Sequence, residues 1–158
     1  MNNTPILSFT GYSNSGKTTL IRKILEKLSG EYSIAVIKHH GHISNNESSF
    51  KKKDTMLFKE AGARDVRLVI GDASPDDIIK EFHERDFDLI IIEGFKHESY
   101  PKFYIKRENI RKIDYNIDSL IGIISDDISD SAISNVWFHI DDVDNIVDFI
   151  KIRFLKGD

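Results

Sequence analysis

Ile6-Leu7-Ser8-Phe9-Thr10-Gly11-Tyr12-Ser13-Asn14-Ser15-Gly16-Lys17-Thr18-Thr19 decides the fold of this 158-residue chain. Residues 6–10 read as a buried strand, and residues 17–28 as a helix. The turn between them, Gly11 to Thr18, fits the G-x-x-x-x-G-K-[ST] phosphate-binding pattern at every fixed position. Glycines at Gly11 and Gly16 let the backbone curl, so that N–H groups of the loop, through Ser13, Asn14 and Ser15, point inward at phosphate oxygens. The helix that follows adds its unpaired N–H groups and the positive end of its dipole. Lys17 is expected to reach the β- and γ-phosphates, and the Thr18 hydroxyl to ligate Mg²⁺. A chance Gly/Ser-rich turn would lack this flanking strand and helix. The stretch therefore predicts a binder of nucleoside triphosphate.

Outward from the loop, short β-branched runs alternate with amphipathic segments. This pattern predicts an α/β protein, a P-loop NTPase-like three-layer fold with a mainly parallel sheet flanked by helices. Strands are expected at residues 6–10, 34–38, 66–70, 88–92, 103–106, 120–124 and 136–140. Leu89-Ile90-Ile91-Ile92 has no polar alternation, as in a central strand covered on both faces. The helix at 17–28 gathers Leu20, Ile21, Ile24, Leu25 and Leu28 on one stripe, with Gly30 as its stop. A short helix is expected at about residues 53–61, ending at Gly62. Another is announced by Ser74 as N-cap and Pro75 at its first position, with Ile78, Ile79 and Phe82 facing the core. The last opens near Asp141 or Asp142 and buries Ile146, Val147, Ile150 and Phe154. Residues 41–52 read as a mobile loop and residues 94–102 as irregular. With no repeat, low-complexity tract or linker, residues 1–158 are expected to form a single nucleotide-binding domain.

Composition bounds the function classes. The chain is 40% hydrophobic and 30% charged, with a net charge of −4, so the whole molecule offers no basic field for nucleic acid. It has no cysteine, which excludes disulfides, thiolate metal sites and a cysteine nucleophile. Met-Asn-Asn-Thr-Pro has no basic n-region, so no signal peptide is expected. Apolar runs reach about five residues, against the roughly 20 that a membrane span needs. A cytoplasmic protein without membrane contact is expected.

In an open parallel sheet, ligands sit beyond the carboxyl ends of the strands. Those ends deliver the phosphate loop, then Lys38-His39-His40-Gly41-His42, then Glu93-Gly94, then Ser125-Asp126-Asp127. Glu93 closes an apolar strand, where a carboxylate holds Mg²⁺ directly or through water; one or two protein carboxylates suffice for that ion. Asp54 is a second metal candidate, at the expected start of a helix, where an N-cap is the plainer reading. Lys38 is a candidate phosphate-side cation, the alternative being a solvated edge lysine. His39, His40 and His42 have no matching cysteine and no distant H-x-x-x-H partner for zinc, and suit hydrogen bonding or phosphate contact instead. Lys51-Lys52-Lys53 reads as a solvated face or an anion contact, and Phe9 and Phe103 as core. No general base stands out. Arg107 and Arg111 are the candidate arginines for the γ-phosphate.

In order along the chain, the blocks Gly11 to Thr19, Ile37-Lys38-His39-His40-Gly41-His42, Asp54-Thr55, Ala61-Gly62-Ala63, Ile92-Glu93-Gly94-Phe95-Lys96, Pro101-Lys102, Ile124-Ser125-Asp126 and Asp141-Asp142-Val143 resemble the MobB family of molybdopterin-guanine dinucleotide biosynthesis adapter proteins. The resemblance covers nearly the whole chain. It implies binding of GTP with Mg²⁺, weak GTP hydrolysis, a homodimer built by joining sheets, and a partner enzyme, a molybdopterin guanylyltransferase (MobA-type), that attaches a GMP moiety to molybdopterin. Gly11, Gly16, Lys17, Thr18 and Thr19 would then carry phosphate and metal binding, with Lys38, Asp54 and Glu93 completing the polar site and Asp126 near the base. GTP over ATP follows from the resemblance, since the guanine signature Asn-Lys-x-Asp is missing. A small-molecule kinase on the same core is the alternative. Its arginine-bearing lid has no counterpart in residues 41–52. A third reading is a non-catalytic module whose loop binds only free anion.

Overall fold

Among the described residues, seven strands form one sheet: β1 (Ile6–Gly11), β2 (Ile34–His40), β3 (Asp65–Ile70), β4 (Leu89–Glu93), β5 (Lys102–Lys106), β6 (Leu120–Ser125) and β7 (Trp137–His139). Their order is β3-β2-β4-β1-β5-β6-β7, and every neighbouring pair is parallel. The structure is a computed structural model and describes residues 3–12, 15–41, 48–107 and 118–155, with residues 48–52 described by backbone alone. Among the described residues, three α-helices connect strands, α1 (Lys17–Leu28), α2 (Ser48–Glu60) and α3 (Asp76–His83), and a fourth, α4 (Val143–Ile150), follows the last strand.

Strand alternation sorts the core into two layers around the sheet. Leu7, Phe9, Leu89, Ile91, Phe103 and Ile105 face α1, α2 and α4, meeting Leu20, Ile24, Phe58, Ile146 and Ile150. Ala35, Ile37, Ile90 and Ile92 face the other way, against Ile79 and Phe82 of α3. β4 is thus buried on both sides, as its unbroken apolar run implied. Phe103 has a stacked neighbour in Phe9 (ring centroids 5.9 Å apart) and edge-on neighbours in Phe138 and Phe149. Gly122 on the adjoining strand makes the room, because a Cβ there would stand 2.7 Å from the Phe103 ring.

The strands and α1 lie where the sequence reading puts them, within one or two residues. Three segments differ. α2 begins at Ser48, five residues before the expected start, so residues 48–52 are helix and not loop. Serine at the start and three lysines, all good helix formers, suit that extension. The rest of the expected loop, residues 42–47, lies outside the described residues. Lys102, expected in the irregular segment, opens β5 fully buried; its amine donates to the carbonyls of Glu98 and Asp118. α3 begins at Asp76, one residue after Pro75, and the Ser74 hydroxyl accepts from the Asp76 N–H at 3.2 Å. Among the described residues, no helix is long and apolar enough to cross a membrane.

Candidate functional site

β1 and α1 set the phosphate loop between them at the carboxyl edge of the sheet, near its middle. Gly11 has φ of 151°, and a Cβ there would lie 2.4 Å from the Ile105 carbonyl of β5. Gly16 has φ of 93°, and its Cβ would lie 2.8 Å from an Arg107 guanidinium nitrogen. The first clash is with backbone and cannot be relieved by rotating a side chain. The loop therefore closes tightly only with these two glycines. Ser13 and Asn14 lie outside the described residues. Ser15 is buried, and its N–H donates to the Tyr12 carbonyl at 3.2 Å. Thr19 is exposed on the first turn of α1.

Lys17 arches back over the loop. Its ammonium donates to the carbonyls of Gly11 (2.9 Å) and Tyr12 (2.7 Å) and lies 3.4 Å from the Ser15 hydroxyl. Burial pulls its pKa below the ordinary lysine value; Glu93 opposes the shift and Lys38 adds to it. A lysine so placed gains charge stabilisation from any anion in the cradle.

From Lys17 a polar chain runs across three strand ends. Thr18 Oγ1 donates to Glu93 Oε1 at 3.1 Å, joining the start of α1 to the end of β4. Glu93 is 6% exposed, and its Oε2 has no hydrogen-bond partner among the described residues. That oxygen lies 3.6 Å from the Lys38 ammonium, which also ion-pairs with Asp54 on α2. Lys38 is buried and is not the solvated edge lysine weighed as its alternative. Asp54 lies within α2 and does not cap its start, so the N-cap reading fails. The structure thus brings together Lys17, Thr18, Glu93, Lys38 and Asp54. A buried carboxylate oxygen without a hydrogen-bond donor, beside a threonine hydroxyl, is an all-oxygen donor set of the kind Mg²⁺ takes together with water and phosphate. Among the described residues, no group of three His, Cys, Asp or Glu is placed to hold a metal ion.

Asp126 stands apart from this chain, following β6, two strands from β1. Its Oδ1 is buried without a hydrogen-bond partner among the described residues. Arg107 lies on the Ser15–Gly16 side of the loop, where its Nε donates to the Ser15 carbonyl at 3.0 Å. Arg111 and His42 lie outside the described residues.

Some contacts at this edge carry no sequence signal. Lys106 ion-pairs with the buried Asp130 at 2.6 Å, across 24 residues. His39, still within β2, stacks on Phe95 with ring centroids 4.0 Å apart, and its Nε2 donates to the Gly71 carbonyl at 2.8 Å. Its ring is therefore a brace for the turn after β4. A histidine beside other histidines gives no hint of that partner.

Known proteins share this architecture and sequence. The family model described as MobB, molybdopterin guanine dinucleotide synthesis protein B, matches residues 6–126, a span holding every candidate site residue from Gly11 to Asp126. The molybdopterin-guanine dinucleotide biosynthesis adapter protein of Haemophilus influenzae is 32% identical over 95% of this chain and 89% of its own length. That of Escherichia coli is 26% identical over 92% of this chain and 91% of its own. The crystal structure of Bacillus subtilis MobB superposes with a TM-score of 0.67 at 30% identity, covering 98% of this chain and 99% of that one. With its parallel three-layer fold, its phosphate loop and a match over most of its length, this chain belongs to the MobB family.

Proposed function

We propose that this protein binds GTP with Mg²⁺ and serves as the adapter for attachment of a GMP moiety to molybdopterin, turning GTP over slowly at most. The observation that carries the reading is the Thr18–Glu93 contact behind the loop, with Glu93 Oε2 buried beside Lys38 and without a hydrogen-bond donor. Thr18 and Glu93 would hold the ion, whose charge offsets that of the β- and γ-phosphates. The loop amides at Gly11, Ser13, Asn14, Ser15 and Gly16, the Lys17 ammonium and the start of α1 at Thr19 would hold the phosphates. Lys38 balances the charge of Glu93 and Asp54, and Asp126, at the end of β6, would lie near the base. Family membership supports GTP over ATP, a homodimer, a molybdopterin guanylyltransferase as partner, and a cytoplasmic location. The 158 residues act as one nucleotide-binding unit.

Calorimetric titration of the protein and of Lys17→Ala with GTP and ATP, with and without Mg²⁺, tests the proposal. GTP is expected to bind more tightly than ATP and to need the metal. Lys17→Ala loses about tenfold or more, because a charge-assisted phosphate contact goes. Equal affinity in the two proteins would refute nucleotide binding at this loop. Phosphate release from GTP without an acceptor separates this reading from a kinase, which would form ADP only when an acceptor is supplied.

A further inference from the structure

Arg107 reaches the phosphate loop from the end of β5. Gly11 pairs in register with Ile105, and Ile105 faces α1. Strand alternation then sends Lys106 the other way, where it ion-pairs with the buried Asp130 at 2.6 Å. That pair pins the strand end just before Arg107. Two residues past Ile105, Arg107 returns to the α1 side, where the loop turns into the helix.

Two contacts define what the guanidinium does there. Its Nε donates to the Ser15 carbonyl at 3.0 Å. One terminal nitrogen lies against Gly16, where a Cβ would stand 2.8 Å from it and 3.4 Å from Ile140 on the same flank. The Ser15–Gly16 peptide is planar and trans, so its C=O and N–H point in opposite directions. An arginine that holds the carbonyl on the β5 flank therefore turns the Gly16 N–H away from that flank. Gly16, at φ of 93°, has no Cβ to restrict rotation of the peptide before it. Fixing that peptide in advance spares a ligand the cost of ordering it.

We propose that Arg107 is a positioning residue of the cradle: through the Ser15 carbonyl it presents the Gly16 N–H to the phosphates. The role rests on the nucleotide reading given above. It differs from that of an arginine aimed at a γ-phosphate, because the acting group is a donor to backbone and not a charge on the ligand. A diphosphate and a triphosphate held in the loop therefore gain alike.

Two substitutions separate the donor from the charge. Glutamine carries its Nε2 as many bonds from the backbone as arginine carries Nε, so Arg107→Gln keeps the donor and removes the charge; Arg107→Met removes both. Arg107 is exposed, and both variants are expected to fold. In calorimetry with GTP and with GDP, each with Mg²⁺, Arg107→Met is expected to bind both nucleotides about fivefold more weakly, and Arg107→Gln to stay within about twofold of the unsubstituted protein. The peptide itself can be read without nucleotide. Ser15–Gly16 and Ser29–Gly30 are the two Ser-Gly pairs of the chain, so isotope labelling of serine carbonyls and glycine amides isolates them by NMR. The Ser15 carbonyl resonance is expected to move upfield in Arg107→Met and to stay in Arg107→Gln, with Ser29 unmoved in both. A loss for GTP alone, an Arg107→Gln as weak as Arg107→Met, or an unmoved Ser15 carbonyl would each overturn the role while nucleotide binding stands. An unsubstituted protein that binds neither nucleotide would overturn the nucleotide reading itself, and this role with it.

Discussion

Replacing Lys38 by methionine isolates the electrostatics of the polar chain. The substitution keeps the length of the stem and removes the charge. Lys38 and Glu93 have side chains 9% and 8% exposed and stand 3.6 Å apart, while Asp54 on the other side is 30% exposed. At an effective dielectric of about 20, two unit charges at that separation interact by about 4–5 kcal/mol. Removing one member of a buried pair strands the other, with typical losses of about 3–5 kcal/mol. Lys38→Met is therefore expected to lose about 3–5 kcal/mol, about 6–20 °C in Tm for a chain of this size. Adding Asp54→Asn removes the second uncompensated carboxylate and returns part of that loss. Mg²⁺ is expected to rescue the single variant more than the unsubstituted protein, because Glu93 and Asp54 then lack their counter-cation. At a hundred times its Kd the ion adds about 2.7 kcal/mol. Urea unfolding of the three proteins, with and without Mg²⁺, reads all of these terms. A loss below about 1 kcal/mol for Lys38→Met, or a Mg²⁺ effect equal in all three, would refute the reasoning.

Further outcomes follow from other contacts. Gly11→Ala drives a Cβ to 2.4 Å from the Ile105 carbonyl; about 1–3 kcal/mol of stability is expected to go, and triphosphate binding with it, measured by unfolding and calorimetry. Because burial lowers the Lys17 pKa from 10.5 and a bound phosphate favours the charged amine, nucleotide affinity is expected to fall as pH rises through that lowered value. Binding at alkaline pH should then take up a proton, seen as a dependence of the calorimetric heat on the buffer. At Asp65, burial pushes the carboxyl up, but hydrogen bonds from Arg85 and Arg67 outweigh it and hold the pKa below 3.8. Its stabilisation is present above that value and is lost as pH falls through the lowered one. Asp65→Asn is expected to cost about 1 kcal/mol at neutral pH and to flatten the acid limb of stability.

The frame was legible because its signals are local. The glycine-lysine turn, the five-residue stripe of α1 and the unbroken apolar run of β4 each announce an element without reference to the rest. The Thr18–Glu93 contact, 75 residues apart, was reachable in outline because strand ends in a parallel sheet gather on one edge. Contacts set by side chains from two distant elements were not. Lys38 sits at a strand end, where solvent is the ordinary expectation, and its partner Asp54 comes from a separate helix 16 residues on. His39 finds Phe95 across 56 residues through a left-handed turn that no propensity favours at phenylalanine. Lys102 enters the sheet because two backbone carbonyls receive its amine, and a lysine at the start of an apolar run gives no sign of them.

The position of β1 at the middle of the sheet has a consequence for biogenesis. Its partners are Ile90 to Glu93 on one side and Lys102 to Ile105 on the other. A chain leaving the ribosome exposes the glycine-lysine turn early, yet the strand beneath it first meets a partner, β4, 84 residues further on, and its second, β5, later still. The nucleotide capture proposed above would thus be a late event of synthesis, and a nascent chain arrested before residue 105 carries the motif without both strands that flank β1.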